Sequence, residues 1–344
     1  MQMEKKKVVV FQGEPGTIHL TREEMVEEWK RVLDRIPQIG EYRIVDPEKK
    51  RMTFEDYSMK IGDADAALGI WIHGGVIKEE LFQAHPKLKY IATLGHGFEE
   101  FDVAMTRRYG VTITNTVYGD VTIAQYAMAL LMNICHNVTL QSDYTKMTYW
   151  ERKAKDSTAV YNKLLVPQIE LYQKTMGIIG LGAIGRWTAR MAQGFGMKVI
   201  ANSRHVKTGP EYEGIEQVSM EELLKRSDVI SIHCPHTKET EHLLNREAFS
   251  KMKDGVILIN TARGAIIDEE ALLEVLESRK VYMAGLDVVD HEPPVEQIPL
   301  MRSPYTFITS HIAWQPRAAR LRAVDMAGQN YRFYLEGAPR SVIN

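Results

Sequence analysis

The stretch Thr175-Met176-Gly177-Ile178-Ile179-Gly180-Leu181-Gly182-Ala183-Ile184-Gly185-Arg186 decides the reading of this chain. A strand-forming run enters three glycines at G-x-G-x-x-G spacing, and an apolar helical pattern follows over 183–195. In that setting each glycine has a mechanical reason. The first makes a tight turn, the second lets backbone approach a pyrophosphate, and the third lets helix and strand pack closely. The helix N-terminus then offers backbone N–H groups to phosphate. A bare G-x-G-x-x-G says little. Here four more strand-like runs follow, at 198–201, 229–233, 256–260 and 283–287, with helical segments near 183–195, 220–226 and 269–278. This is βαβ repetition of the nucleotide-binding kind, so Gly180, Gly182, Ala183, Ile184 and Gly185 are candidate cofactor contacts.

Upstream, 120–150 reads as one long helix, with Ala124, Ala127, Met128, Leu131 and Ile134 at helical spacing for core packing. Before it lies a second alternation of strands, at 7–11, 66–71, 89–94 and 111–114. Thr21 with Glu24, and Ser219 with Glu222, have capping-box spacing. The expected class is α/β, with two doubly wound Rossmann-like domains and parallel sheets. A final helical segment covers 316–336, with Pro316 suited to the first helical position and Gly337 to a stop. The second sheet is complete without it, so this segment is available to the first domain.

The whole chain sets bounds. Its 344 residues exceed what one hydrophobic core supports. Hydrophobic residues at 44% and charged residues at 26% suit a globular protein. A net charge of −2 argues against nucleic acid as the main partner. Cys135 and Cys234 have neither redox nor metal spacing, and two thiols in a long chain suit a reducing compartment. No apolar run reaches spanning length, and the N-terminal one is too short for a signal peptide. The expectation is a cytoplasmic protein with no membrane or metal partner.

The cofactor type is read at the end of the second nucleotide-domain strand. There an acidic residue grips the ribose 2′-hydroxyl of NAD. This chain has Asn202-Ser203-Arg204-His205, with Lys207 close by and no carboxylate. Ser203 at that position removes repulsion toward a 2′-phosphate, and Arg204 is able to bind one. NADP(H) is favoured and NAD(H) remains open, since Arg204 and Lys207 also read as ordinary surface charges.

A dehydrogenase further needs an acid–base group at the hydroxyl carbon and a cation for a substrate carboxylate. Arg263, Glu292 and His311 stand in post-strand loops of the C-terminal half. Taken singly, each also reads as a cap, a surface charge or a loop histidine. As a set, GIIGLGAIGR, HCPHTKET, NTARGAIIDEEAL, GLDVVDHEPP and SHIAW occur in an order and spacing that resembles the D-isomer-specific 2-hydroxyacid dehydrogenase family. The resemblance runs from about Pro86 to the C-terminus and is weaker before it.

That resemblance implies catalytic roles for Arg263, Glu292 and His311. Arg263 would hold the 2-oxo acid, His311 would give a proton to its carbonyl oxygen, and Glu292 would orient His311 and favour its protonated form. It places Asp287 near the nicotinamide amide, and His233, Pro235 and Thr240 beside the adenosine. Thr261 and Ala262 fall beneath the nicotinamide, and Arg263, His311 and Ala313 also meet the cofactor. Leu94, Gly95, His96 and Gly97 match a loop whose N–H groups meet the substrate carboxylate. Phe98-Glu99-Glu100 stands where the family usually has asparagine. The resemblance further implies a substrate-binding domain of 1–118 plus 316–344, a nucleotide domain of 119–315, a substrate site in the cleft between them, and a homodimer.

Trp314 after His-Ile-Ala resembles the glycerate dehydrogenase, or hydroxypyruvate/glyoxylate reductase, branch, and is a candidate substrate contact. Trp150 aligns with a tryptophan that reaches a partner's active site in that branch. Lactate- and phosphoglycerate-type dehydrogenases are alternative readings. A relative of another class, an NAD(H)-sensing corepressor, keeps the same residues.

Overall fold

Residues Lys6–Phe11 form β1, whose period-2 alternation buries Val8 and Val10 on one face and Val9 and Phe11 on the other. A strand buried on both faces belongs inside a parallel sheet covered by helices. The computed structural model describes residues 4–48, 52–69, 72, 74–95, 97 and 101–344. It contains two units, Met1–Gly119 with Trp314–Asn344, and Asp120–Ala313.

In the first unit β1 is followed by α1 (Arg22–Leu33), β2 (Ile39–Val45), α2 (Phe54–Ile61), β3 (Ala66–Gly69), α3 (Glu79–Ala84), β4 (Tyr90–Thr93), α4 (Val103–Arg108) and β5 (Thr112–Thr114). The strands are parallel, in the order β2-β1-β3-β4-β5. Thr21 and Glu24 make the full capping box that opens α1.

The second unit runs α5 (Asp120–His136), α6 (Val138–Asp143), α7 (Tyr149–Lys155), β6 (Thr175–Ile179), α8 (Ala183–Gly194), β7 (Lys198–Asn202), β8 (Ile215–Gln217), α9 (Met220–Arg226), β9 (Val229–Ile232), α10 (Arg246–Lys251), β10 (Val256–Asn260), α11 (Glu269–Glu277), β11 (Val281–Leu286), α12 (Pro299–Arg302) and β12 (Thr306–Ile308). Its parallel sheet has the order β12-β11-β10-β9-β6-β7-β8. The chain winds one way from β6 to β8, then crosses back to β9 and winds the other way. The last helix, α13 (Arg317–Leu335), returns to the first unit. There it packs with α1 over one face of the sheet, and a Cβ on Gly328 would lie 1.9 Å from Val32 Cγ1.

The α/β class with two parallel sheets agrees with the sequence reading. Four details differ from it. The long helix expected over 120–150 is broken at Asn137, whose left-handed backbone (φ 47°) ends α5 while its side-chain amide donates to the Ile134 carbonyl. Strands β2, β8 and β12 were not anticipated, being short or only half-buried. Ser219 accepts the Glu222 N–H, but the Glu222 carboxylate lies 3.8 Å from Arg226 rather than closing a box. Pro316 is the residue before α13 rather than its first. Ile70 and Trp71, read as part of a strand, lie outside the described residues. Among the described residues no helix is long and apolar enough to cross a membrane. Cys135 and Cys234 are free thiols, each pushed up to about 11 by burial.

Candidate active site

The carboxyl ends of a parallel sheet are where its loops gather, and the order reversal beside the first strand leaves a crevice there. In the second unit that strand is β6, flanked by β7 and β9. Gly180, just past β6, has φ +97°, and a Cβ there would lie 2.4 Å from the Cys234 nitrogen. Only glycine lets the turn pass the exit of β9. A Cβ on Gly185 would lie 2.1 Å from the Gly180 oxygen, so α8 packs directly on that turn. A Cβ on Gly182 would meet nothing within 4 Å. Space is therefore open in front of α8, whose first turn has no side-chain cap.

Buried polar atoms face the same need for partners. Among the described residues, His233 Nδ1, His236 Nε2 and Thr261 Oγ1 are buried without a hydrogen-bond partner, on loops after β9 and β10. Such atoms are uncommon unless something else satisfies them. His233 Nε2 lies 2.9 Å from Ser231 Oγ, and burial pushes its imidazole down to about 3, so it is neutral near pH 7. Thr240 Oγ1 accepts the Thr237 N–H at 2.7 Å and donates to the Pro235 carbonyl at 2.8 Å, which shapes that loop. After β7, Ser203 Oγ donates to the His205 carbonyl at 2.8 Å. Lys207 and Gln217 exchange two 2.7 Å hydrogen bonds that pin the segment carrying Arg204. An open approach to a helix N-terminus, unmatched buried polar atoms and a cationic loop fit a dinucleotide.

Arg263, Glu292 and His311 stand in the loops after β10, β11 and β12. Asn260, fully buried at the end of β10, donates to the Arg263 carbonyl and accepts the Ala262 N–H, each at 2.9 Å. This staples the Thr261-Ala262-Arg263 turn. A Cβ on Gly264 would lie 1.9 Å from the Val289 carbonyl carbon, so the Arg263 loop rests on the loop leading to Glu292. Glu292 Oε1 accepts the Val289 N–H at 2.9 Å, and Oε2 lies 2.7 Å from His311 Nδ1. Burial alone would push this carboxyl up. Hydrogen bonds from His311 and Val289, with the positive charge of His311 and Arg263, outweigh burial and hold it below the usual glutamate value.

His311 has φ +56°, unfavourable for a residue other than glycine, so its surroundings must impose it. Asp287, 1% exposed, supplies the constraint. Its carbonyl accepts the His311 N–H at 2.7 Å, and its carboxylate accepts Ile312 N–H (3.0 Å), Ala313 N–H (2.9 Å) and the Thr309 hydroxyl (2.6 Å). Asp287 thereby ties the histidine loop to the end of β11.

One unit thus carries Arg263, Glu292 and His311 together with the candidate cofactor residues. Leu94, Gly95, Gly97 and Trp314 belong to the other unit, and His96, Phe98, Glu99 and Glu100 lie outside the described residues. Leu94 is buried, and the Gly95 carbonyl accepts the Thr116 N–H. Sequence reasoning passed over Asn260, Gly264 and Thr309. Asn260 and Gly264 stand inside the NTARG run, but residue type alone does not show which turn they brace.

A family model described as "D-isomer specific 2-hydroxyacid dehydrogenase, NAD binding domain" matches residues 128–313. A hydroxypyruvate reductase of Blautia hydrogenotrophica is 36% identical over 98% of this chain and 99% of its own length. A glyoxylate reductase of Korarchaeum cryptofilum is 32% identical over 87% of each chain. Among solved structures, an acyclic imino acid reductase in complex with NADPH and D-Arg superposes with a TM-score of 0.77. It is 27% identical, over 98% of this chain and 100% of that one.

Proposed function

This chain belongs to the D-isomer specific 2-hydroxyacid dehydrogenase family, and we propose that it reduces hydroxypyruvate or glyoxylate to the D-2-hydroxy acid or its glyoxylate-derived product, glycolate. It is an oxidoreductase with an NAD(P)-binding domain, from a family that acts on small 2-oxo and 2-hydroxy acids. The observation that carries the reading is the 2.7 Å contact of His311 Nδ1 with Glu292 Oε2, next to the braced Arg263 turn.

When bound, the reduced nicotinamide supplies hydride to C2 of the substrate. Arg263, always cationic, holds the carboxylate and carbonyl oxygen and so fixes the face of C2 presented. With Nδ1 facing Glu292, proton delivery to the carbonyl oxygen falls to His311 Nε2. Glu292, ionised over the working pH range, keeps the ring in that orientation. Reduction consumes a proton, so it is favoured at lower pH.

NADPH is the favoured donor. The loop after β7 has no carboxylate beside Ser203, and its Arg204 segment is pinned by Gln217. The chain works as a homodimer. Val138, Met147, Trp150, Val160, Tyr161 and Leu164 are exposed within one stretch of the second unit, apolar side chains of the kind that a subunit interface covers. Its free thiols suit the cytoplasm.

Absorbance at the reduced-nicotinamide band tests the activity, with hydroxypyruvate, glyoxylate, pyruvate and phenylpyruvate offered alongside NADPH or NADH. Hydroxypyruvate or glyoxylate with NADPH should give the highest kcat/KM. Tight cofactor binding without turnover of any 2-oxo acid would instead mark a binding protein.

A further inference from the structure

The segment that carries Arg263 and the segment that carries Glu292 meet at two points. A Cβ on Gly264 would lie 1.9 Å from the Val289 carbonyl carbon, a contact that brings the two backbones together but does not hold them in register. Further along the same segment, Glu269 Oε1 accepts the Asp290 N–H at 2.8 Å. The chain between these points is braced. The Ile267 N–H donates to the Gly264 carbonyl at 2.9 Å, and the Asp268 N–H donates to the Leu244 carbonyl at 3.0 Å. The Glu269 carboxylate therefore reaches the Glu292 loop from a supported position beside the Arg263 turn.

Its place in the helix does not ask this of Glu269. Carboxylates at a helix start are ordinarily stabilised by the free N–H groups and the positive end of their own helix. Asp268 is used in that way, accepting the Ala271 N–H at 3.0 Å as the cap of α11. Glu270 lies 3.4 Å from Arg246, which also pairs with Glu274 at 2.6 Å. Glu269, between Asp268 and Glu270, turns instead to another loop. The Asp290 carboxylate lies 3.0 Å from the exposed His291 Nδ1, so Asp290 meets Glu269 through its backbone. Two successive N–H groups of this loop thus go to two carboxylates, that of Val289 to Glu292 Oε1 at 2.9 Å and that of Asp290 to Glu269. Hydrogen bonds to an ionised acceptor are stronger than neutral ones, and the second of them ties the loop to the Arg263 segment. Glu292 Oε2 then lies 2.7 Å from His311 Nδ1.

We propose that Glu269 is a positioning residue that, by gripping the Asp290 N–H, fixes the loop in the shape in which Glu292 faces His311. This rests on the reading of His311 as proton donor and Glu292 as its orienting partner. Glu292 pairs with His311 directly, Arg263 acts on Glu292 by its charge, and Asp287 holds the backbone beside the histidine. Glu269 acts on this group through the loop backbone.

The test compares Glu269→Ala, Glu269→Gln and Glu269→Asp in the full chain, read by melting temperature and by the pH profile of kcat/KM for hydroxypyruvate with NADPH. Glu269→Ala should lower kcat/KM about tenfold at pH 7. It should also move the alkaline limb of the profile to lower pH by about one pH unit, because a Glu292 that no longer faces the imidazole favours its protonated form less. Glu269→Gln keeps an acceptor at the same reach and should stay within about twofold of the unsubstituted protein, its limb unmoved. Glu269→Asp keeps the charge but withdraws the acceptor by a methylene. It should resemble Glu269→Ala, and it decides the matter if the alanine variant does not fold. In a Glu292→Gln background Glu269→Ala should add nothing. Glu270→Ala, the neighbouring change in the same helical turn, should leave the profile where it is. A Glu269→Ala effect confined to melting temperature, a glutamine variant as impaired as the alanine one, or an equal loss in the Glu292→Gln background would overturn the proposal. Near-normal turnover in His311→Ala would remove the proton-donor reading and this proposal with it, whereas an unmoved profile in Glu269→Ala removes the proposal alone.

Discussion

Asp287 shows how much one residue does at this site. Its carbonyl and carboxylate receive four hydrogen bonds from the segment that carries His311, and these hold the strained histidine backbone. Asp287→Asn exchanges a carboxylate acceptor for an amide donor facing N–H groups. Displacing a catalytic group by about 1 Å costs on the order of 100-fold in rate. We expect kcat for hydroxypyruvate to fall by roughly that factor, measured by NADPH-linked turnover. His233 gives a pH effect of defined sign. Burial lowers its imidazole from 6.5 to about 3, so between those values the unfolded chain binds a proton that the folded chain does not. Stability from this group is complete above pH 6.5 and is lost as pH falls toward 3. Denaturant titrations at pH 7.5 and 5 should show that His233→Gln loses less stability between them than the unsubstituted protein. At this scale the grouping of Arg263, Glu292 and His311 in one unit's loops was legible because their types and motifs are distinctive. Asn260 and Thr309 were not, because a brace is recognised only when the two segments it joins are seen together.

At the scale of elements, the glycines after β6 were readable because each answers a local steric demand. Gly180 and Gly185 meet backbone atoms that any side chain would strike, and Gly182 meets nothing. The break after α5 was not readable. The apolar spacing continues across it, and asparagine is only one of several residues tolerated in a helix interior. Its left-handed backbone and its bond to the Ile134 carbonyl end the helix. Asn137→Gly should therefore change stability by no more than about 0.5 kcal/mol, while Asn137→Val should cost about 1–2 kcal/mol through the Cβ penalty of that conformation. Thermal unfolding of the two variants decides between this and an ordinary surface position. The short strands β8 and β12 escaped for a different reason. Each has three residues, too few for an alternation to register. Both lie at sheet edges, where burial asks less of the sequence.

For the whole molecule, the alternation of strands and helices was enough to give the α/β class with parallel sheets, since burying both faces of β1 and β10 requires helices on both sides. Association is less visible in sequence, because an exposed apolar residue reads like a buried one. The patch around Trp150 and Leu164 leads us to expect a dimer by sedimentation equilibrium. A Trp150→Glu, Leu164→Glu double variant should shift it toward monomer, and an unsubstituted protein that sediments as monomer would refute the assignment. The central claim is that His311, held by Glu292 and Asp287, delivers the proton in reduction of a 2-oxo acid. Its most direct test is kcat/KM for hydroxypyruvate and glyoxylate with NADPH in the unsubstituted protein and in His311→Ala, with cofactor binding measured in parallel. A loss on the order of 1,000-fold with cofactor affinity intact is the predicted result. Near-normal turnover in the alanine variant would contradict it.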